Sequence, residues 1–216
     1  MAAIEIYGFL PSTYTRAIVM ACQEKGVDYE LKPNAPHSPP VKAVHPFGRI
    51  PVMRHGDFEL CESNAIALYL DRAFPGPKLI PDDAKIGALT EQWISLVNTP
   101  MDATLVRTYL FAYIFPKTAD KSPDRATIDA TVPAMKEQIA VLDKAVAKTG
   151  YLAGDSYTFA DINLMSILYY LKQLPESGAT IAESKNLSAY YERNAARPSF
   201  KNTIPPAPGS REERRG

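Results

Sequence analysis

The stretch from Pro46 to Ala67, PFGRIPVMRHGDFELCESNAIA, holds the residues with the clearest chemical potential. Ile50-Pro51-Val52-Met53 reads as the start of a strand, yet proline removes a backbone donor and belongs at a strand's first residue, an edge or a bulge. A cis Ile50–Pro51 bond is one explanation, because an X–Pro bond reaches the cis form at small cost. It would turn the Ile50 amide and carbonyl outward toward a ligand. Phe58-Glu59-Leu60-Cys61 alternates as a second strand, and Glu62-Ser63-Asn64 then opens an apolar-periodic run through Ile66, Leu68, Tyr69 and Leu70. Ser63 is thereby placed at a helix N-terminus, where unpaired amides and the positive dipole end favour an anion. Glu62 beside it is suited to an ammonium, so the pair suits a zwitterion.

The chain has 216 residues, 46% of them hydrophobic, which is enough for one large domain or two small ones with a proper core. Lys plus Arg and Asp plus Glu both number 24, so no global field draws in nucleic acid or an anionic membrane. No apolar stretch approaches the roughly 18 residues of a membrane span, and Glu5 interrupts the N-terminus where a leader would be apolar. The expected compartment is the cytoplasm. Cys22 and Cys61 stand alone, without CxxC or metal-ligand spacing, and are expected to be structural, with no metal site.

The elements that must position these residues alternate in type at first. Ile4 to Tyr7 reads as a strand, Thr13 to Lys25 as a helix with Gly26 as its cap, and Val27 to Leu31 as a strand again. A proline-rich loop from Pro33 to Gly48 has room for little more than one helical turn. Two strands joined at His55-Gly56-Asp57 and the Ser63 helix complete a βαβ, loop, ββα unit, assigned to residues 1–80. Beyond Phe74-Pro75-Gly76-Pro77 the strand signals largely vanish. Helical periodicity runs over Ala84–Phe115, Asp124–Lys148, Phe159–Leu171 and Leu187–Ala196, with Pro116 and Pro175 as stops, giving an all-α domain over residues 84–204. Thr158 and Asp161 form a capping-box variant with Tyr157 and Ile162 at the staple positions, read as a stability element. Residues 205–216 are expected to be a mobile tail.

A small α/β unit with a proline-led strand and an ESNAI helix start, followed by an all-α domain containing GDSYTFADI, resembles the cytosolic glutathione transferases. Three motifs carry the resemblance: Ser12-Thr13-Tyr14-Thr15-Arg16 after the first strand, His45 to Pro51 as a His-Pro-Phe-Gly-x-Ile-Pro tract, and Glu62-Ser63 beyond it. Within the family the pattern looks like the serine type, phi-like or a related bacterial class. The resemblance implies a thioredoxin-like N-terminal domain, an all-helical C-terminal domain, glutathione as cosubstrate, a homodimer, and conjugation of the glutathione thiolate to small hydrophobic electrophiles, with a glutathione-dependent reductase, peroxidase or isomerase on the same site, or a non-catalytic dimerisation or binding module, as the alternatives.

It also implies a site. Glu62 and Ser63 would hold the γ-glutamyl end, and the Ile50 main chain presented by Pro51 would pair with the cysteinyl part. A free thiol with pKa about 8.5 is mostly protonated at neutral pH, and a hydroxyl donating to sulfur stabilises the thiolate. Lowering that pKa by about two units takes roughly 2.7 kcal/mol. Ser12, after Pro11 at the start of the first helix, is the first choice for this hydroxyl. Tyr7 is its rival, since tyrosine-type relatives place their phenol at the end of this strand, and Thr13 and Tyr14 are remoter alternatives. His37, Arg49 and Lys42 are candidates for the glycyl carboxylate, although His37 is displaced by one place from the family tract and His45 stands where Asn is more usual. Leu10 with Leu105, Tyr109 and Tyr113, at i, i+4 and i+8, could wall an apolar pocket for a small hydrophobic electrophile, or could equally be core.

Overall fold

Residues Ile4–Gly8 alternate between buried and half-buried positions, the signature of a strand with one face on a core. This strand, β1, lies in a four-stranded sheet of order β2-β1-β3-β4 in a computed structural model that describes residues 4–206. β2 (Tyr29–Pro33) runs parallel to β1, whereas β3 (Val52–His55) is antiparallel to both β1 and β4 (Phe58–Cys61). Ile4, Ile6 and Met53 share one face of the sheet and are buried, as are Ile18 of helix α1 (Thr13–Lys25) and Ile66 and Leu70 of helix α3 (Ser63–Ala73). On the other face Val52 is buried too, and the remaining positions there are largely polar. Arg54 pairs in register with Glu59 and sits 2.7 Å from its carboxylate, and Lys32 lies 2.6 Å from Glu30.

Helix α1 starts and stops as its sequence predicts. Ser12 is the N-cap in extended conformation, and Gly26 at φ 66 ends the helix in the left-handed region. The amides of Gly26 and Val27 return to the carbonyls of Gln23 and Cys22, the two bonds of a Schellman motif. At the same end, the buried Lys25 ammonium donates to Asp71 of α3 (3.1 Å) and to the Pro77 carbonyl (3.0 Å). Asp71 also accepts from the Leu79 amide at 2.7 Å, so one buried ion pair fastens α1, α3 and the chain beyond α3. Helix α2 (Pro39–Val44) is the short turn that the proline-rich loop admits.

The described residues divide into two units, one of residues 4–82 together with 196–206, the other Asp83–Ala195. The boundary expected at 204 therefore moves. Residues 196–204 were expected in the helical domain but pack on α1 instead. Arg197 donates to both oxygens of Glu24, and the fully buried Arg16 donates to the Phe200 carbonyl at 3.1 Å and to Thr203 at 3.3 Å while covering the Phe200 ring. Pro205 is buried too, so the expected tail does not begin there, and its residues 207–216 lie outside those described.

In the second unit, α4 (Ala84–Leu96) is capped by Asp83, which accepts from the Lys85 and Ile86 amides. It leads into a π-helical segment, Val97–Leu110, that contains Pro100, and then α5 (Phe111–Ile114). Arg107 reaches Asp102 and Thr108 reaches the Ala103 carbonyl, each five residues back, as the wider π turn stacks residues five apart. α6 (Arg125–Val146), α7 (Phe159–Leu171), α8 (Pro175–Glu183) and α9 (Lys185–Ala195) complete the unit. Pro175 begins a helix rather than serving only as a stop, because its missing N–H falls in a first turn that has no partner for it. The capping box at Thr158–Asp161 is present, and buried Asp161 accepts from the amides of Thr158 (2.9 Å) and Leu152 (3.0 Å) and from the Tyr190 hydroxyl (3.0 Å). No helix among the described residues is long and apolar enough to cross a membrane.

Candidate active site

Register decides what meets at one end of the sheet. Val52, the first residue of β3, lies opposite both Tyr7 on β1 and Cys61 on β4. Three chain segments therefore share that end: the β1–α1 loop with Ser12, the Ile50–Pro51 bond before β3, and Glu62-Ser63 after β4. The Ile50–Pro51 bond is cis, as its place before a strand suggested. Pro51 is buried and Ile50 half-buried.

Ser12 is half-exposed at the tip of α1, and its amide donates to the Phe9 carbonyl at 3.0 Å. Its hydroxyl oxygen accepts from the Thr15 amide at a long 3.4 Å, and an accepting hydroxyl still has its own proton to donate. Tyr7 is placed differently. It shares the polar face with Glu5, to whose carboxylate its hydroxyl donates at 2.9 Å, and the Arg54 guanidinium lies 5.1 Å from its ring centre. That phenolic proton is already engaged. Beneath Ser12, Gly8 is confined by Thr15: a methyl on Gly8 would come within 2.5 Å of the Thr15 hydroxyl oxygen. That buried hydroxyl has no hydrogen-bond partner among the described residues.

At the start of α3 the N-cap is Glu62, with Ser63 one place inside the helix, at the N-terminus where the sequence puts it. Glu62 adopts φ 69 and ψ 116, a left-handed backbone that typically costs a non-glycine residue about 1–3 kcal/mol and concentrates at functional sites. Its carbonyl accepts from Ile66 at 3.0 Å, while its side chain is 68% exposed and lies with Oε1 3.2 Å from Nε2 of the buried His45. Sequence marked His45 only as a departure from Asn. Its partner lies on another element, and no local pattern signals that contact.

The basic candidates gather on adjoining loops. The His37 amide donates to the Gly48 carbonyl at 2.8 Å, and both residues have positive φ, near 65. A methyl on Gly48 would sit 2.5 Å from His37 Nδ1, so only glycine allows this approach. His37 is thus beside Gly48 and Arg49, immediately before Ile50. Arg49 is exposed, as is Lys42 on α2.

Residues 6–78 match the glutathione S-transferase N-terminal domain and residues 105–198 the glutathione S-transferase C-terminal domain. The chain is 31% identical to glutathione S-transferase III, whose apo structure it matches with a TM-score of 0.79 over 96% of this chain and 100% of that one. It belongs to the glutathione S-transferase family. Glutathione S-transferase 3 of Zea mays is 29% identical over 97% of this chain and 99% of its own. Glutathione S-transferase I from maize, solved in complex with an atrazine glutathione conjugate, is 26% identical and superposes with a TM-score of 0.84 over 94% and 96% of the two chains. The thioredoxin-like domain and helical domain expected from the family resemblance are the fold of this transferase.

In its helical unit, two of the expected pocket residues are interior. Leu105 and Tyr109 are fully buried, so the i, i+4 stripe faces core rather than an open wall. Spacing failed to separate the two because an apolar stripe looks the same on either surface. Tyr113 is half-buried, and its hydroxyl, like that of Tyr109 at 2.8 Å, donates to Glu176. Arg125 adds a contact of 2.8 Å to the same carboxylate. Burial opposes ionisation of Glu176, but these three donors outweigh it and hold its pKa at about 2. Leu10 is half-exposed in the β1–α1 loop of the transferase. Neither cysteine is primed as a thiolate: burial pushes Cys22 up to about 12, and burial with the neighbouring Glu62 charge pushes Cys61 up as well.

Proposed function

We propose that this protein conjugates the thiolate of glutathione to small hydrophobic electrophiles, with Ser12 as the hydroxyl that stabilises the thiolate. The observation that carries the reading is the register that puts Ser12, the cis Ile50–Pro51 bond and Glu62-Ser63 at one end of the sheet. Glutathione needs three anchors, and each has a chemical counterpart there. The N-terminal amides of α3 with Ser63 suit the γ-glutamyl carboxylate, and Glu62 suits its ammonium. The Ile50 backbone suits the cysteinyl peptide. His37 and Arg49, drawn together by the Gly48 contact, suit the glycyl carboxylate.

In the reaction, the thiol gives its proton to solvent and the Ser12 O–H donates to the resulting sulfur anion, aided by the positive end of α1. The sulfur lone pair then forms the C–S bond as the electrophile's leaving group departs with its electrons. Placing sulfur and electrophile together contributes much of the acceleration. Tyr7 is less suited to this role, since its proton is held by Glu5. A disulfide-exchange reading lacks a cysteine at the Ser12 position, and Cys22 is buried.

The proposal extends to a homodimer. Phe47 is 71% exposed, and an apolar groove of about 380 Å³ is lined by Leu60, Ala65, Leu68, Tyr69, Arg72 and Ala73. Large exposed apolar features of this kind mark association surfaces. Conjugation of chlorodinitrobenzene, followed by absorbance of the product, tests the activity. An active wild type whose Ser12→Ala variant loses turnover while retaining glutathione affinity supports the reading. A larger loss in Tyr7→Phe would transfer the role to Tyr7.

A further inference from the structure

His45 is a histidine whose tautomer the surrounding structure dictates. The Phe47 amide donates to Nδ1 at 3.0 Å, so Nδ1 must present a lone pair. In the neutral ring the proton then resides on Nε2, which faces Glu62 Oε1 at 3.2 Å. The ring therefore donates to the carboxylate. Its backbone is fixed on both sides, the amide donating to the Val41 carbonyl at 2.8 Å and the carbonyl accepting from Gly48 at 3.0 Å. The His45 side chain is also 4% exposed, whereas the Glu62 side chain is 68% exposed. A rigid, buried donor thus holds a carboxylate that would otherwise sweep through solvent on a flexible stem. One such bond uses only one of the carboxylate's roughly four lone-pair sites, which leaves the group able to accept from a ligand.

We propose that His45 is a positioning residue for ligand recognition: its Nε2–H orients the Glu62 carboxylate toward the α-ammonium of the γ-glutamyl group, so that the site selects for that ammonium. This inference rests on the reading that Glu62 and Ser63 receive the γ-glutamyl end. The geometry separates the ring's two bonds. An asparagine at 45 can put its carbonyl oxygen near the Nδ1 position and keep the Phe47 amide partnered, but its amide is too short to reach Glu62. A glutamine extends a donor toward the Nε2 position.

The test is calorimetric titration of the full chain with glutathione and with its deamino analogue, in which a glutaryl group replaces γ-glutamyl. The wild type should prefer glutathione by about tenfold or more, the range of a charge-assisted hydrogen bond. His45→Asn should reduce that preference by roughly three- to tenfold, and His45→Gln should keep it within about twofold of the wild type. A general loss of packing would weaken both ligands alike and leave the ratio unmoved. An unchanged ratio in His45→Asn, or a loss in His45→Gln as large as in His45→Asn, overturns the inference. Should His45→Asn fail to fold, the ratio in His45→Gln decides. A wild type that binds both ligands equally removes the inference and leaves the glutathione reading intact. A wild type that binds neither removes both.

Discussion

Glu62 stands before α3 and Glu176 in the first turn of α8, both at helix starts, and their surroundings are opposite. Glu176 is 22% exposed and receives two tyrosine hydroxyls and the Arg125 guanidinium, and its acidity is fixed at about 2. Glu62 is 68% exposed, meets the single imidazole of His45, and sits on a backbone that a glutamate does not favour. A carboxylate saturated by its own chain stabilises the fold. One that is oriented but unsaturated, on a strained backbone, retains capacity for a ligand.

The contrast can be broken from the saturated side first. Asp161→Ala, which removes the acceptor for Leu152, Thr158 and Tyr190 at a fully buried site, should destabilise the protein by about 3–5 kcal/mol, read as a lower urea midpoint with unchanged slope. Glu176 should show its contribution through pH. Its folded pKa lies below the ordinary 4.5, so its stabilisation is present above about pH 5 and is lost as pH falls toward 2. The size is on the order of 2–3 kcal/mol, given its partial exposure. Glu176→Gln should flatten acid unfolding across that window, and an unaltered acid profile would remove the saturated half of the contrast.

The site side is expected to respond in chemistry more than in stability. Ser12→Ala should raise the pKa of bound glutathione by about one to two units, followed by thiolate absorbance, and reduce turnover at neutral pH about ten- to a hundredfold. The smallest effect sharpens the comparison most. Glu62→Gly, at φ 69, relieves the backbone but leaves the buried Nε2–H of His45 without its acceptor, so it should change stability by less than about 1 kcal/mol while weakening glutathione binding about tenfold. A Glu62→Gly protein that is both less stable and equally tight for glutathione would show that Glu62 belongs with Glu176 after all.

Legibility in the sequence followed the range of the interactions. The α1 limits, the β4 strand and the Thr158 capping box were readable, since each depends on residues within about one turn, whereas the cis bond before β3 was one of several explanations for the proline there. Helix α8 was missed because a proline marks a start as readily as a stop. Leu105 and Tyr109 could not be assigned because helical spacing defines a face without saying what covers it. The close fit of His37 on Gly48 was likewise invisible, although the motif around Gly48 was not.

Taken alone, the sequence determined the elements, their caps and the residue types available for holding a zwitterionic thiol ligand, because periodicity and capping act locally. Tertiary structure decided which of those residues meet. Strand register brought Ser12, Pro51 and Glu62 to one end of the sheet. It also gave the Tyr7 proton to Glu5, returned Arg197, Phe200 and Thr203 to α1, and set His45 against Glu62. These contacts join segments whose separation along the chain places no constraint on their pairing, so only the folded backbone could select them.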